Sequence, residues 1–266
     1  MIPTETIATL EHCWRSVSSL CAGLSEADWK ASTDLPGWTV QDNLSHLIGF
    51  ERVLQGVPAT SHRVARPDYV RNAIGEMNEH EVDSRRALPG AAVATEWNEL
   101  VELRLATLHA GDEAFFAVET MNPTGPGTLA DFLHVRVLDC WLHEQDMRRA
   151  VGKPGNLDGP GAGHTIDRLI RTLPIVVGKR AATPEGRAVV IDITGGVQRH
   201  IVCEVREGRA VLVGEPTTAP LAKITLDTEA FVVLASGRRT SADVTAEVSG
   251  DSVVAARVLS QFNMMI

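Results

Sequence analysis

The chain has 266 residues and carries 25 Lys and Arg against 34 Asp and Glu, a formal net charge of −9. Its basic residues form no cluster longer than a pair such as Arg148-Arg149 or Arg238-Arg239, which argues against a nucleic-acid backbone or an anionic membrane as the main partner. With 44% hydrophobic and 22% charged residues, a chain of this length buries a core without covalent staples, and Cys13, Cys21, Cys140 and Cys203 have neither zinc-finger nor redox-motif spacing.

In chain order, apolar spacing and caps predict helices over the first ~150 residues. The first covers residues 4–24, with Ile7, Leu10, Trp14, Val17, Leu20 and Leu24 at steps of three or four. After the turn at Pro36-Gly37, Thr39 caps a second helix, with Asp42 three residues on as its capping-box partner. A weaker, polar helix is expected around 69–86, where NEHEVDSRR, the segment holding His80, reads as a solvated charged face. A third strong helix spans 91–110. NPTGPG (122–127) reads as a loop, and Thr128, with Asp131, caps a fourth strong helix that runs to about residue 151. No stretch has the length of a membrane span, and the N-terminal segment, with Glu5, Glu11 and His12, is no apolar signal core, so a cytoplasmic location with reduced thiols is expected.

The Gly/Pro-rich segment 152–163 is the expected boundary of a helical domain, 1–152. Beyond it lie a connector and linking helix over 153–186, then an α+β domain over 187–266. The linking helix is expected over 164–177, kinked or ended by Pro174. The period then changes to that of strands at 188–193, 200–205, 210–213, 222–226 and 242–248. Asp227 caps a helix over 228–236, and Gly250-Asp251 opens a final amphipathic one. Strands first and helices gathered late suggest an α+β layer.

The informative segment is the fourth strong helix. Leu129, Leu133, Cys140, Met147 and Val151 share one face, the expected buried one, while Arg136 and His143 fall close to it and Asp139 and Asp146 on its flank. Polar groups along an apolar stripe need partners, because burying them unpaired costs several kcal/mol. Asp139 and His143, four apart, project side by side and can share one divalent ion if a facing helix supplies a third donor. An Asp–His pair at this spacing is also a common local helix interaction. The candidate third donor is His46 on the second helix, a position where a lone histidine is usually a packed or capping one. Glu51 on that helix lies amid Leu44, Leu47 and Leu54 and either pairs with a buried cation such as Arg136 or serves a site. Periodicity does not choose between these readings.

LPGWTVQDNLSHLIGFE and RVLDCWLHEQDMRRAVGKPG together resemble the two metal-ligand helices of the DinB-like superfamily, and within it the mycothiol-dependent maleylpyruvate isomerase family. KITLDTEAFVVLASGRRT and VSGDSVVAARVLSQF resemble the sterol-carrier-like domain that follows the bundle in that family. The resemblance implies an N-terminal DinB-like four-helix bundle followed by a small C-terminal α/β domain, and a divalent metal, most commonly zinc, on His46, Asp139 and His143. The family's isomerase carries glutamate where this chain has the shorter Asp139. The resemblance further implies mycothiol as cosubstrate and a small electrophilic substrate, with cis–trans isomerisation or S-transfer as the outcome. Arg136 and Asp146 are the expected supporting residues, and Arg238 or Arg239 a candidate cation from the second domain. A monomer is the default expectation. The competing reading is a non-catalytic binding protein with an apolar-ligand site in its C-terminal domain and a structural or absent metal.

Overall fold

The computed structural model describes residues 1–122 and 125–265. The chain divides into two compact units, Met1–Gly155 and Asn156–Ile266. The first unit is built on four long helices: α1 (Thr4–Cys21), α3 (Val40–Leu54), α5 (Gly90–Ala110) and α7 (Leu129–Ala150). Each packs on two of the others in the ring α1–α7–α3–α5, so an apolar stripe on every helix meets a neighbour. Two starts are fixed by reciprocal caps. Thr39 Oγ1 accepts from Asp42 N (3.3 Å) while Thr39 N donates to Asp42 Oδ2 (2.8 Å), and Thr128 and Asp131 repeat the arrangement at α7. Each such cap adds about 1 kcal/mol to its helix. Trp14 and Trp97, both fully buried, meet edge to face with ring centroids 6.4 Å apart.

Two expectations for this unit need correction, and two short helices are additional. α4 (Ala73–Arg86), capped by Asn72, is not a solvated helix: Glu79, Glu81 and Arg85 are buried against α3. Gly49 permits that approach, since a Cβ there would come within 2.9 Å of the Glu81 side chain. Of the expected loop 122–127, residues 123 and 124 lie outside the described residues. The rest belongs to β1 (Glu119–Asn122) and β2 (Gly125–Thr128), an antiparallel pair whose register sets Asn122 opposite Gly125. Gly and Pro composition signals a loop, but backbone pairing needs no side chain, and at Gly127 the Asn122 amide passes 2.4 Å from the Cβ position. Finally, the short helices α2 (Glu26–Trp29) and α6 (Glu113–Phe116) are too brief to leave a periodic signal.

The second unit begins with α8 (Pro160–Ile170), which starts on Pro160 and stops before Pro174; a π-helical turn, Ile175–Arg180, follows. Five strands come next: β3 (Ala188–Thr194), β4 (Arg199–Arg206), β5 (Arg209–Val213), β6 (Ala222–Asp227) and β7 (Glu247–Gly250), in the order β5-β4-β3-β6-β7. All pairs are antiparallel except β3 with β6. Two helices pack on this sheet, α9 (Thr228–Ala235), capped by Asp227, and α10 (Ser252–Ser260), capped by Asp251. The expected strand 242–248 is realised only from Glu247. Thr240 N and Oγ1 both donate to Asp243 Oδ2 (2.9 and 2.7 Å), and this local turn draws the segment away from the sheet ladder. Among the described residues no helix is long and apolar enough to cross a membrane.

Candidate metal centre

The middle of α7 is buried on nearly all sides. Leu133, Cys140 and Met147 line the core as expected, but so do Val137, Trp141, Leu142, Glu144 and Gln145, while Leu129 and Val151 lie half-buried at the ends. α3 is likewise buried without interruption from Val40 to Gly49. The two helices run in opposite senses, since Asn43 meets His143 at one level and Glu51 meets Arg136 two turns along. Between these contacts His46 enters from α3, and Asp139 and His143 enter from α7.

The three side chains converge. One nitrogen or oxygen from each lies within 4.8 Å of the others. His46 Nε2 is 3.3 Å from Asp139 Oδ2, His143 Nε2 is 3.5 Å from Asp139 Oδ1, and the two imidazole centroids are 4.6 Å apart. Both histidines are buried, whereas the Asp139 side chain is 25% exposed and marks the edge that solvent reaches. Trp38, half-buried, stands over both rings at 5.2 and 5.9 Å, and Phe50 closes the far side of His46 at 5.1 Å.

The protonation states follow from the neighbours. Asn43 Nδ2 donates to Thr39 O (2.9 Å), which turns its Oδ1 toward His143 Nδ1 at 2.7 Å. Nδ1 must then carry a proton, which leaves Nε2, facing Asp139, as the nitrogen that can serve an ion. Neither nitrogen of His46 has a hydrogen-bond partner, although both are shielded from solvent. Burial pushes this imidazole down to about 4, against the pull of Asp139, so it is neutral near pH 7. Burial alone would raise the Asp139 carboxyl, but Arg136 and the two imidazoles outweigh it and hold the group well below the usual carboxylate range. Two imidazoles and one carboxylate, with buried His46 nitrogens that make no hydrogen bond, are the donor groups a divalent cation takes. The residues present therefore fit a metal.

Arg136 is buried and bridges two acids. Its Nη1 donates to Asp139 Oδ2 (2.6 Å) and its Nε to Glu51 Oε1 (2.8 Å). Its guanidinium also lies 4.9 Å above the Phe50 ring. Asp146 lies deep in the bundle. Arg149 pairs with it, and its Oδ2 is 3.6 Å from His143 Nδ1. Arg149 in turn reaches Asp34 (2.7 Å). Cys140, held in the core, has its thiol pushed up to about 12 by burial and is not a nucleophile. Arg238 and Arg239 lie in the second unit, just after α9, where Arg238 Nη1 donates to Ser236 O (3.1 Å).

Sequence reasoning missed three contributors. Asn43 gives no signal because an asparagine one turn into a helix usually serves the cap. Arg104, a charged residue of α5 that the apolar spacing passes over, is buried on Glu51. Glu79, assigned to a solvated face, accepts from Trp38 Nε1 (3.0 Å) and Tyr69 Oη (2.7 Å) and so fixes the indole. Gly37, at φ 76°, lets the Tyr69 ring pass 2.2 Å from its Cβ position, a spacing no other residue allows.

Residues 10–148 match the mycothiol maleylpyruvate isomerase N-terminal domain, and residues 164–257 match its C-terminal domain. The fold is similar to the crystal structure of the mycothiol-dependent maleylpyruvate isomerase, with a TM-score of 0.59 and 16% identity over 93% of each chain. A histidine-to-alanine mutant of that isomerase gives a TM-score of 0.54 at the same identity and coverage. No curated protein sequence matches the chain.

Proposed function

Because the chain belongs to the mycothiol maleylpyruvate isomerase family, we propose that it is a metal-dependent enzyme that uses mycothiol on a small electrophilic substrate, with cis–trans isomerisation as its reaction. In this reading His46, Asp139 and His143 hold the ion, and zinc suits two imidazoles and one carboxylate best. The observation that carries it is the convergence of three donor groups from α3 and α7, with both His46 nitrogens buried and without a hydrogen bond. A divalent ion held by these three residues would lower the pKa of a thiol bound to it, so that thiolate would be available near neutral pH.

The chain's own residues prepare this chemistry. Asn43 keeps the lone pair of His143 on Nε2, and Arg136 keeps Asp139 ionised. Trp38, anchored by Glu79, forms an aromatic wall beside the half-open edge at Asp139, where a thiol would enter. Asp146 and Arg149 brace the Nδ1 side of His143.

Elemental analysis of the purified protein should give one divalent ion per chain, lost in both His46→Ala and His143→Ala. An unchanged metal content in either variant sinks the shared site. The loaded protein incubated with mycothiol and maleylpyruvate should yield the trans isomer with the thiol regenerated. An S-conjugate that keeps the thiol would make the protein a transferase instead.

A further inference from the structure

Beyond Asp139, the charges continue inward as an unbroken chain. Asp139 Oδ2 accepts from Arg136 Nη1 (2.6 Å), Arg136 Nε donates to Glu51 Oε1 (2.8 Å), and the other Glu51 oxygen accepts from Arg104 Nε (2.9 Å). Arg104 Nη1 ends the run on Leu54 O and Gln55 Oε1, each at 3.3 Å. Signs alternate along it, so two carboxylates and two guanidinium groups give no net charge. Glu51, Arg104 and Arg136 are each 1% exposed. The chain links α5 through α3 to α7. Such a network is expensive to bury, and apolar side chains of similar volume would stabilise the bundle at least as well. By itself, then, the network is a poor source of stability, and what it visibly does is fix the place of each of its members. Glu51 is central: without it Arg136 would face Arg104 with no carboxylate between them, and the Asp139 carboxylate would lose its fixed partner.

We infer that Glu51 and Arg104 are positioning residues for the metal-binding carboxylate, acting through Arg136 to hold Asp139 in place before the ion arrives. This rests on the reading of Asp139 as a ligand. An aspartate, one methylene shorter than glutamate, has less reach to correct its own aim. It therefore depends more on a fixed partner.

The test is metal affinity rather than turnover. Apoprotein would be titrated with zinc against a competing chelator, and with cobalt(II), whose visible absorption reports the ligand geometry. Glu51→Gln, which keeps the shape and removes the charge, should weaken zinc binding by roughly 10- to 100-fold. It should also alter the cobalt spectrum. Arg104→Met, at a residue that touches neither Arg136 nor Asp139, should weaken binding measurably but by less than Glu51→Gln does. In the double variant the two losses should not add, because they act through one chain. Val93→Ala, an apolar truncation in the same bundle, should lower stability and leave zinc affinity unchanged, which separates positioning from mere folding. Wild-type zinc affinity and an unshifted cobalt spectrum in Glu51→Gln overturn the inference. If that variant does not fold, unchanged affinity in Arg104→Met overturns it. A wild-type protein that binds neither metal removes the centre itself, a failure visible before any variant is made.

Discussion

Each unit holds a histidine against an aspartate, and the two arrangements differ in everything but residue type. On the sheet of the second unit, His200 Nδ1 lies 2.6 Å from Asp192 Oδ1 while Lys223 Nζ takes Asp192 Oδ2 at 2.7 Å. Both carboxylate oxygens are used, and the His200 and Lys223 side chains are about half exposed. This is a solvated cross-strand group, worth at most about 1 kcal/mol. In the helical unit the imidazoles are buried, one of them makes no hydrogen bond at either nitrogen, and the carboxylate is backed by buried ions three residues deep. Proximity of histidine to aspartate is thus no mark of a site. Burial with an unmet lone pair is.

The largest expected difference is in catalysis. His143→Ala should lose the metal and lower thiol-dependent turnover by roughly 100-fold or more, since a bound ion supplies several kcal/mol of transition-state stabilisation. His200→Ala should keep both, and an equal loss in the two variants would erase the distinction. Stability comes next. Arg136→Met leaves Glu51 and Asp139 short of a buried partner and should cost about 3–5 kcal/mol in urea unfolding of the apoprotein. Lys223→Met should change the same midpoint by no more than ~1 kcal/mol.

The smallest effect is in acid. Burial would raise Asp192, but Lys223 and His200 together hold it below the ordinary aspartate value of 3.8. A carboxyl depressed by folding contributes stability above its unfolded pKa and loses it as pH falls through the lower folded value. The wild type should therefore weaken more steeply below about pH 4 than Asp192→Asn, by under ~1 kcal/mol. Parallel acid-unfolding curves for the two proteins would show that the pair contributes nothing.

How far the sequence could be read depended on how local the cause was. The capping boxes at Thr39 and Thr128 placed the starts of α3 and α7, because both partners lie within one turn. The strands β3 to β6 were legible from a run of alternating and β-branched residues. The buried character of α4 was not. Its acids and arginines look like a solvated face until Arg86 reaches Asp42, and Trp38 and Tyr69 reach Glu79. The strand expected from 242 failed on one side-chain turn at Asp243.

From the sequence alone come the helical periods, the caps, the change to strands after residue 187, and the four-residue spacing that sets Asp139 beside His143. These are consequences of backbone geometry and nearest neighbours along the chain. Only the tertiary structure decided that His46 faces that pair, that Asn43 fixes the tautomer of His143, and that Glu51 takes both Arg104 and Arg136. α3 and α7 are buried almost all round, so no polar stripe on either helix tells which neighbour a given side chain will meet. That choice is made by the packing of four helices at once, and no single segment contains it.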